Sequence, residues 1–179
     1  MHYYNYNRIL SYNCPVNILI GERGVGKSYG AKKYVIKQFL KNRSQFIYLR
    51  RYDNELKAVF EKSGTNNKDF FDDIKNDFPK LELKAKNRKF YINNECFGFA
   101  KRMTEAQDLK SATYENVKTI IIDEYPIEKN KRYYLPNERN DFNAVFLIVL
   151  FVTVQTLKFL FWVMQLKALN IVHFFHFLT

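Results

Sequence analysis

At 179 residues and 47% hydrophobic content, the chain is long enough to bury one domain core and too apolar to be intrinsically disordered. Its formal net charge of +11, from 29 basic and 18 acidic residues, favours a polyanionic partner such as nucleic acid over an acidic substrate, with a merely basic soluble protein as the plain alternative. Cys14 and Cys96 lie far apart without C-x-x-C spacing, which suggests neither a disulfide framework nor a zinc site and suits reduced thiols in a cytoplasm. The N-terminus has no basic stretch followed by an apolar one, so no secretory signal is read there.

Residues 1–15 are a polar, tyrosine-rich lead-in that reads as surface packing or as a segment lying beside a nucleotide base. Val16 to Ile20 is a short apolar run suited to a buried strand, and Tyr29 to Leu40 carries helical periodicity. Between them stands GERGVGKS, Gly21, Glu22, Arg23, Gly24, Val25, Gly26, Lys27 and Ser28, which fits G-x-x-x-x-G-K-[ST] at every fixed position. Strand, glycine loop and helix thus follow in the order a phosphate cradle needs. The glycines let successive N–H groups converge on phosphate oxygens at a helix N-terminus. Lys27 is placed to reach the β and γ phosphates, and Ser28 to offer its hydroxyl to a magnesium ion.

Gln45 to Leu49 reads as a second strand, giving a strand–helix–strand unit with a right-handed crossover and a parallel pair. It ends in Arg50 and Arg51. These are candidates for a nucleotide or intersubunit contact at the carboxyl end of the sheet, or a solvated pair capping the strand. Asn54 to Lys62 reads as a helix, Ser63 to Lys68 as a loop, and Asp69 to Asp77 as a short acidic helix stopped by Pro79. Leu81 to Ala85, Lys89 to Ile92 and Cys96 to Ala100 are short alternating runs that predict a β-meander. Its Lys84, Lys86, Arg88, Lys89, Lys101 and Arg102, interleaved with Phe90, Tyr91, Phe97 and Phe99, allow a basic, aromatic surface for nucleic acid. The alternative is that the aromatics are core and the charges solvated. Val117 to Ile122 predicts a buried strand that runs into Asp123 and Glu124. In an active site with the upstream glycine loop, Asp123 would hold magnesium through water and Glu124 would orient and deprotonate the attacking water.

Several stretches together resemble the phi29-like family of phage DNA encapsidation ATPases. They are RILSYNCPVNILIGERGVGKSYGAKKY, QFIYLRRYDNEL, KFYINNECFGFA, TYENVKTIIIDEYPIEK and YYLPNE, in order from Arg8 to Glu138. The resemblance implies an α/β P-loop NTPase of the additional-strand, catalytic-glutamate type, a three-layer sheet with helices on both faces plus a β-meander insertion. It implies ATP and Mg2+ as cofactors, ATP over GTP by resemblance alone, with Gly21 to Ser28 as phosphate loop, Lys27 and Glu124 in catalysis, and Ser28 and Asp123 at the metal. Its implied partners are double-stranded viral DNA, portal and procapsid components and a packaging RNA. The setting is a homo-oligomeric ring at the procapsid in the host cytoplasm.

After Glu138 the likeness stops. All 18 acidic residues precede Asn143, and from there to Thr179 only Lys158 and Lys167 are charged. Residues 1–142 therefore read as an incomplete ATPase domain, and 143–179 as an aberrant apolar tail that supplies no further strand of the sheet. Ala144 to Met164 has the length of a membrane helix, for which about 20 apolar residues are needed, although Gln155 and Lys158 interrupt it. A single-nucleotide shift near Glu138 to Asn143 accounts for the tail better. In the neighbouring frame, Phe161–Trp162 forces Leu, Trp162–Val163 forces Gly and Met164–Gln165 forces Ala, and permitted choices spell an arginine-bearing loop, a strand and an Asn-Ala turn. The expectation is a truncated chain that binds ATP and does not translocate. The competing readings are a membrane-tethered P-loop protein anchored by residues 144–164 and a nucleic-acid-binding module with an inactive nucleotide site.

Overall fold

The computed structural model describes residues 6–14, 16–21, 24–60, 69–105, 114–123 and 158–164. Helix α1 (Tyr6–Ser11) leads into strand β1 (Val16–Gly21), helix α2 (Lys27–Asn42), strand β2 (Gln45–Arg50) and helix α3 (Asp53–Phe60). Strands β3 (Leu83–Lys86), β4 (Lys89–Ile92) and β5 (Glu95–Arg102) form the meander, followed by β6 (Val117–Ile122) and β7 (Lys158–Met164). All seven strands belong to one mixed sheet, ordered β1-β7-β6-β2-β5-β4-β3. The first five in that order are mutually parallel, and β4 and β3 continue the sheet antiparallel.

Strand β2 shows why such a sheet needs two covered faces. Phe46 and Tyr48 are buried on the side that carries α2, while Ile47 and Leu49 are buried on the other. Successive side chains point to opposite faces, so a central parallel strand reads as an unbroken apolar run. β6 follows the same rule, with Ile121 in the α2-side core and Ile120 and Ile122 buried opposite. Whatever covers that opposite face, and residues 61–68, lie outside the described residues, so the expected helices on both faces are described on the α2 side alone. On the α2 side, Ala31, Val35, Ile36 and Phe39 of α2, one to two turns apart, meet Leu19, Phe46, Phe71, Phe90 and Phe97. Phe46 stacks on Phe90 at 5.1 Å and covers Gly98, where an added Cβ would stand 2.1 Å from the ring.

Four expectations are corrected. β1 and β2 are parallel but not neighbours, because β7 and β6 stand between them. A 16-residue helix is about 24 Å long and readily spans three strand spacings of about 4.8 Å, so a local strand–helix–strand pattern does not fix adjacency. The sheet does not end before residue 143, since β7 takes the slot between β1 and β6, with Gly21 opposite Met164 and Ile122 opposite Phe161. KFLFWVM is rich in aromatic and branched residues, and apolarity without alternation is what a strand flanked by two parallel neighbours requires. The acidic helix is reduced to a 3-10 turn at Lys75–Asp77 after turns from Phe70. There the Asp72 carboxylate accepts from the Asp69 backbone N–H, competing with regular helix bonding. Finally, the lead-in contains α1, six residues too short for a periodic signal.

The meander turns follow from their asparagines. Asn87 and Arg88, and Asn93 and Asn94, all have positive φ, the geometry of two-residue hairpin loops. The inserted meander thus extends the edge of the main sheet through the parallel β2–β5 pairing.

Candidate nucleotide site at the carboxyl edge of the sheet

Because β1, β6 and β2 run parallel, their carboxyl ends deliver Gly21, Asp123 and Arg50 to one edge of the sheet, where ligands gather in open α/β folds. The glycine loop connects β1 to α2. Gly24 and Gly26 have φ of +88° and +80°, a region that costs a side-chain-bearing residue energy, and a Cβ on Gly24 would meet nothing within 4 Å. Gly26 caps α2 without a side-chain hydrogen bond, so no side chain of the cap blocks the amides of the first turn. Lys27 folds back over this loop and donates to the Gly21 carbonyl at 2.8 Å. Only 6% exposed, its ammonium is pushed below the ordinary lysine range by burial and drawn partly back by the Asp123 carboxylate.

Tyr6 of α1 fixes the start of the helix. Its hydroxyl donates to the Lys27 carbonyl at 2.6 Å, and its ring lies against Gly30, where a Cβ would fall 2.3 Å from ring atoms. The lead-in therefore braces the loop from behind. No pattern in residues 1–15 signals this, because the contact depends on a glycine one turn into another helix.

At the end of β6, Asp123 is 9% exposed. Its Oδ2 accepts from the Tyr48 hydroxyl at 2.7 Å and from the Arg50 guanidinium at 2.9 Å, and Arg50 Nε donates to the Tyr48 oxygen at 2.8 Å. Burial, and the Asp123 carboxylate beside it, hold the Tyr48 phenol well above its ordinary value, so it stays a donor. Neither arginine is solvated: Arg50 closes this triad and Arg51 is 5% exposed. The reading of a solvated pair is corrected, and Tyr48 enters the site without any motif to announce it.

The structure thus brings together Gly21, Gly24, Val25, Gly26, Lys27 and Ser28 on the loop with Asp123 and Arg50. Glu22, Arg23 and Glu124 lie outside the described residues. The residues present fit a nucleoside triphosphate with a divalent cation. An open glycine cradle, uncapped helix amides and a buried ammonium suit phosphate oxygens, and a strand-end carboxylate within electrostatic reach of Lys27 suits a hard cation.

The meander divides the residues that its sequence offers for a basic, aromatic surface: Tyr91 and Phe99 are half-buried and Lys84, Lys86 and Lys89 exposed, whereas its other aromatics and its arginines are used internally. Phe90 and Phe97 are core residues, and Arg88 and Arg102 are spent on Asp53 and Glu105. That ion-pair cluster ties the α3 N-terminus to the β3–β4 turn and the end of β5; burial pushes the Glu105 carboxyl up, but hydrogen bonds from the Arg102 backbone N–H and guanidinium, with the charges of Arg102 and Arg88, hold it below its usual range. Likewise, no helix among the described residues is long and apolar enough to cross a membrane, and residues 158–164 of the proposed anchor are a strand paired on both sides.

Comparison with known proteins agrees with this fold. Residues 1–175 match the model of the podovirus DNA encapsidation protein (Gp16) family. The DNA packaging protein of Bacillus phage phi29 is 43% identical over 136 residues, 76% of this chain and 39% of that protein, so the chain spans about two-fifths of this relative's length. The crystal structure of the N-terminal domain of the DNA packaging ATPase from bacteriophage phi29 superposes with a TM-score of 0.82 at 35% identity, covering 99% of this chain and 87% of that one. A chain of the phi29 viral genome packaging motor assembly gives a TM-score of 0.78 at 35% identity, covering 97% of this chain and 51% of that one. The chain belongs to the podovirus DNA encapsidation protein family.

Proposed function

We propose that this chain is the nucleotide-binding part of an ATP-hydrolysing motor subunit that packages double-stranded viral DNA. The observation that carries the reading is the convergence of the glycine loop, Lys27 and Asp123 at one end of a parallel sheet, in a chain whose relatives are DNA packaging proteins. Bound magnesium would neutralise charge developing on the transferring phosphoryl group. The loop amides and Lys27 would hold the phosphates in line, Ser28 and Asp123 would hold the cation, and Glu124 would take a proton from the attacking water. The net charge of +11 suits a polyanionic polymer. A homo-oligomeric ring docked on portal, procapsid and packaging RNA in the host completes the proposal.

Single-turnover ATP hydrolysis by the full-length protein, with duplex DNA present, tests it. Glu124→Gln is expected to bind ATP and hydrolyse it at least about a hundredfold more slowly, the usual size of a lost general base. Absence of hydrolysis before the substitution favours a nucleic-acid-binding module instead.

A shifted reading frame after Glu138 to Asn143 remains part of this proposal. An apolar run such as KFLFWVM fills the β7 slot in either case, but an arginine contributed between subunits would be lost, and with it coupled translocation. Coding DNA that cannot spell an arginine-bearing loop and an Asn-Ala turn in the neighbouring frame rejects the shift.

A further inference from the structure

We propose that Tyr48 is a positioning residue for Asp123, holding its carboxylate by one oxygen so that the other alone faces a divalent cation. The inference rests on the nucleotide–metal reading of the site and adds a specificity to it. Tyr48 is 4% exposed, and its ring lies edge-on to Phe70 at 5.2 Å and to Phe90 at 6.1 Å. A phenylalanine would satisfy that packing. The hydroxyl is in excess of it, and both its bonds lead to the site: it accepts from Arg50 Nε and therefore directs its own proton to Asp123 Oδ2.

Oδ2 is thus committed to two donors, Tyr48 at 2.7 Å and Arg50 at 2.9 Å, whereas Oδ1 receives no hydrogen bond from the described residues. A carboxylate tethered in this way offers one oxygen, not two. Mg2+ keeps several waters in strict octahedral geometry, so one fixed oxygen that orients such a water suits it, while Ca2+ readily accepts both oxygens of one carboxylate directly. The tether favours the smaller ion. Arg50 adds a counter-charge that keeps Asp123 from attracting cations strongly before the phosphates arrive, since Asp123 faces both Arg50 and Lys27.

The experiment measures binding of a fluorescent ATP analogue to the full chain while Mg2+ or Ca2+ is titrated, with thermal unfolding in parallel. Tyr48→Phe is expected to leave metal-free nucleotide affinity nearly unchanged and to lower the unfolding midpoint by only a few degrees, the loss of the two hydroxyl bonds with the ring packing kept. The half-saturating Mg2+ concentration should rise about three- to tenfold, the net value of one ordinary hydrogen bond, and that for Ca2+ should rise less. Arg50→Lys keeps the charge but loses the Nε bond, and should move the Mg2+ to Ca2+ preference the same way by a smaller factor. The proposal is overturned if both variants keep the parent's Mg2+ and Ca2+ requirements, or if metal-free affinity falls as much as the metal terms. A parent chain that binds no nucleotide at all rejects the nucleotide reading itself, and this inference with it.

Discussion

Lys27→Ala is expected to weaken nucleotide binding by about a hundredfold or more, the cost of truncating one partner of a buried charged contact. The fold should survive. The side chain donates to the Gly21 carbonyl, and burying the ammonium is itself unfavourable, so its removal relieves a cost as well as forfeiting a bond. Equilibrium binding of a fluorescent ATP analogue, set beside thermal unfolding, separates the two effects. The same site predicts a pH dependence. Burial lowers the pKa of Lys27 from 10.5, so the neutral amine becomes populated at lower pH than in an ordinary lysine. Since the ammonium attracts phosphate and the amine does not, affinity should fall as pH rises, starting below the usual lysine range. For stability the sign is the reverse: a depressed lysine pKa means that the folded state disfavours the charged form, and this penalty lessens as pH rises through the folded value.

Asp123→Ala is expected to destabilise the fold by about 3–5 kcal/mol, because it leaves a guanidinium in the interior without its carboxylate. Arg50 and Asp123 are both largely enclosed, and the Tyr48 hydroxyl would lose the acceptor for its proton. Denaturant unfolding should show a lower midpoint at similar slope. Asp123→Asn, which keeps an oxygen to accept from Tyr48 and Arg50, should cost less while still removing the Mg2+ enhancement of nucleotide binding. The pair of variants separates a stabilising role from a metal-holding one.

The parts of this site that were legible in the sequence are those carried by contiguous residues. GERGVGKS between a strand and a helix, and an apolar strand running into Asp123, declare themselves because glycines, a lysine and a carboxylate must stand at fixed spacing along the backbone. The meander was legible for the same reason, since alternation and asparagine-bearing turns are local. What could not be read depends on partners distant in the chain. Tyr48 and Asp123 meet only because β2 and β6 are parallel neighbours, with Tyr48 opposite Ile121. Tyr6 matters only because Gly30 leaves room for its ring. β7 was missed for a different reason. Its composition, taken as a sign of an aberrant tail, is also that of a strand buried between two others, and periodicity does not distinguish the two when there is no alternation.

The central claim is that the loop from Gly21 to Ser28 and the carboxylate of Asp123 form one site for a nucleoside triphosphate and its cation. Titration of the chain with a fluorescent ATP analogue, with and without Mg2+, tests it most directly. Saturable binding that Mg2+ tightens, that Lys27→Ala abolishes and that Asp123→Asn renders insensitive to Mg2+ is the predicted result. Absence of saturable binding, or binding that both variants leave unaltered, would contradict it.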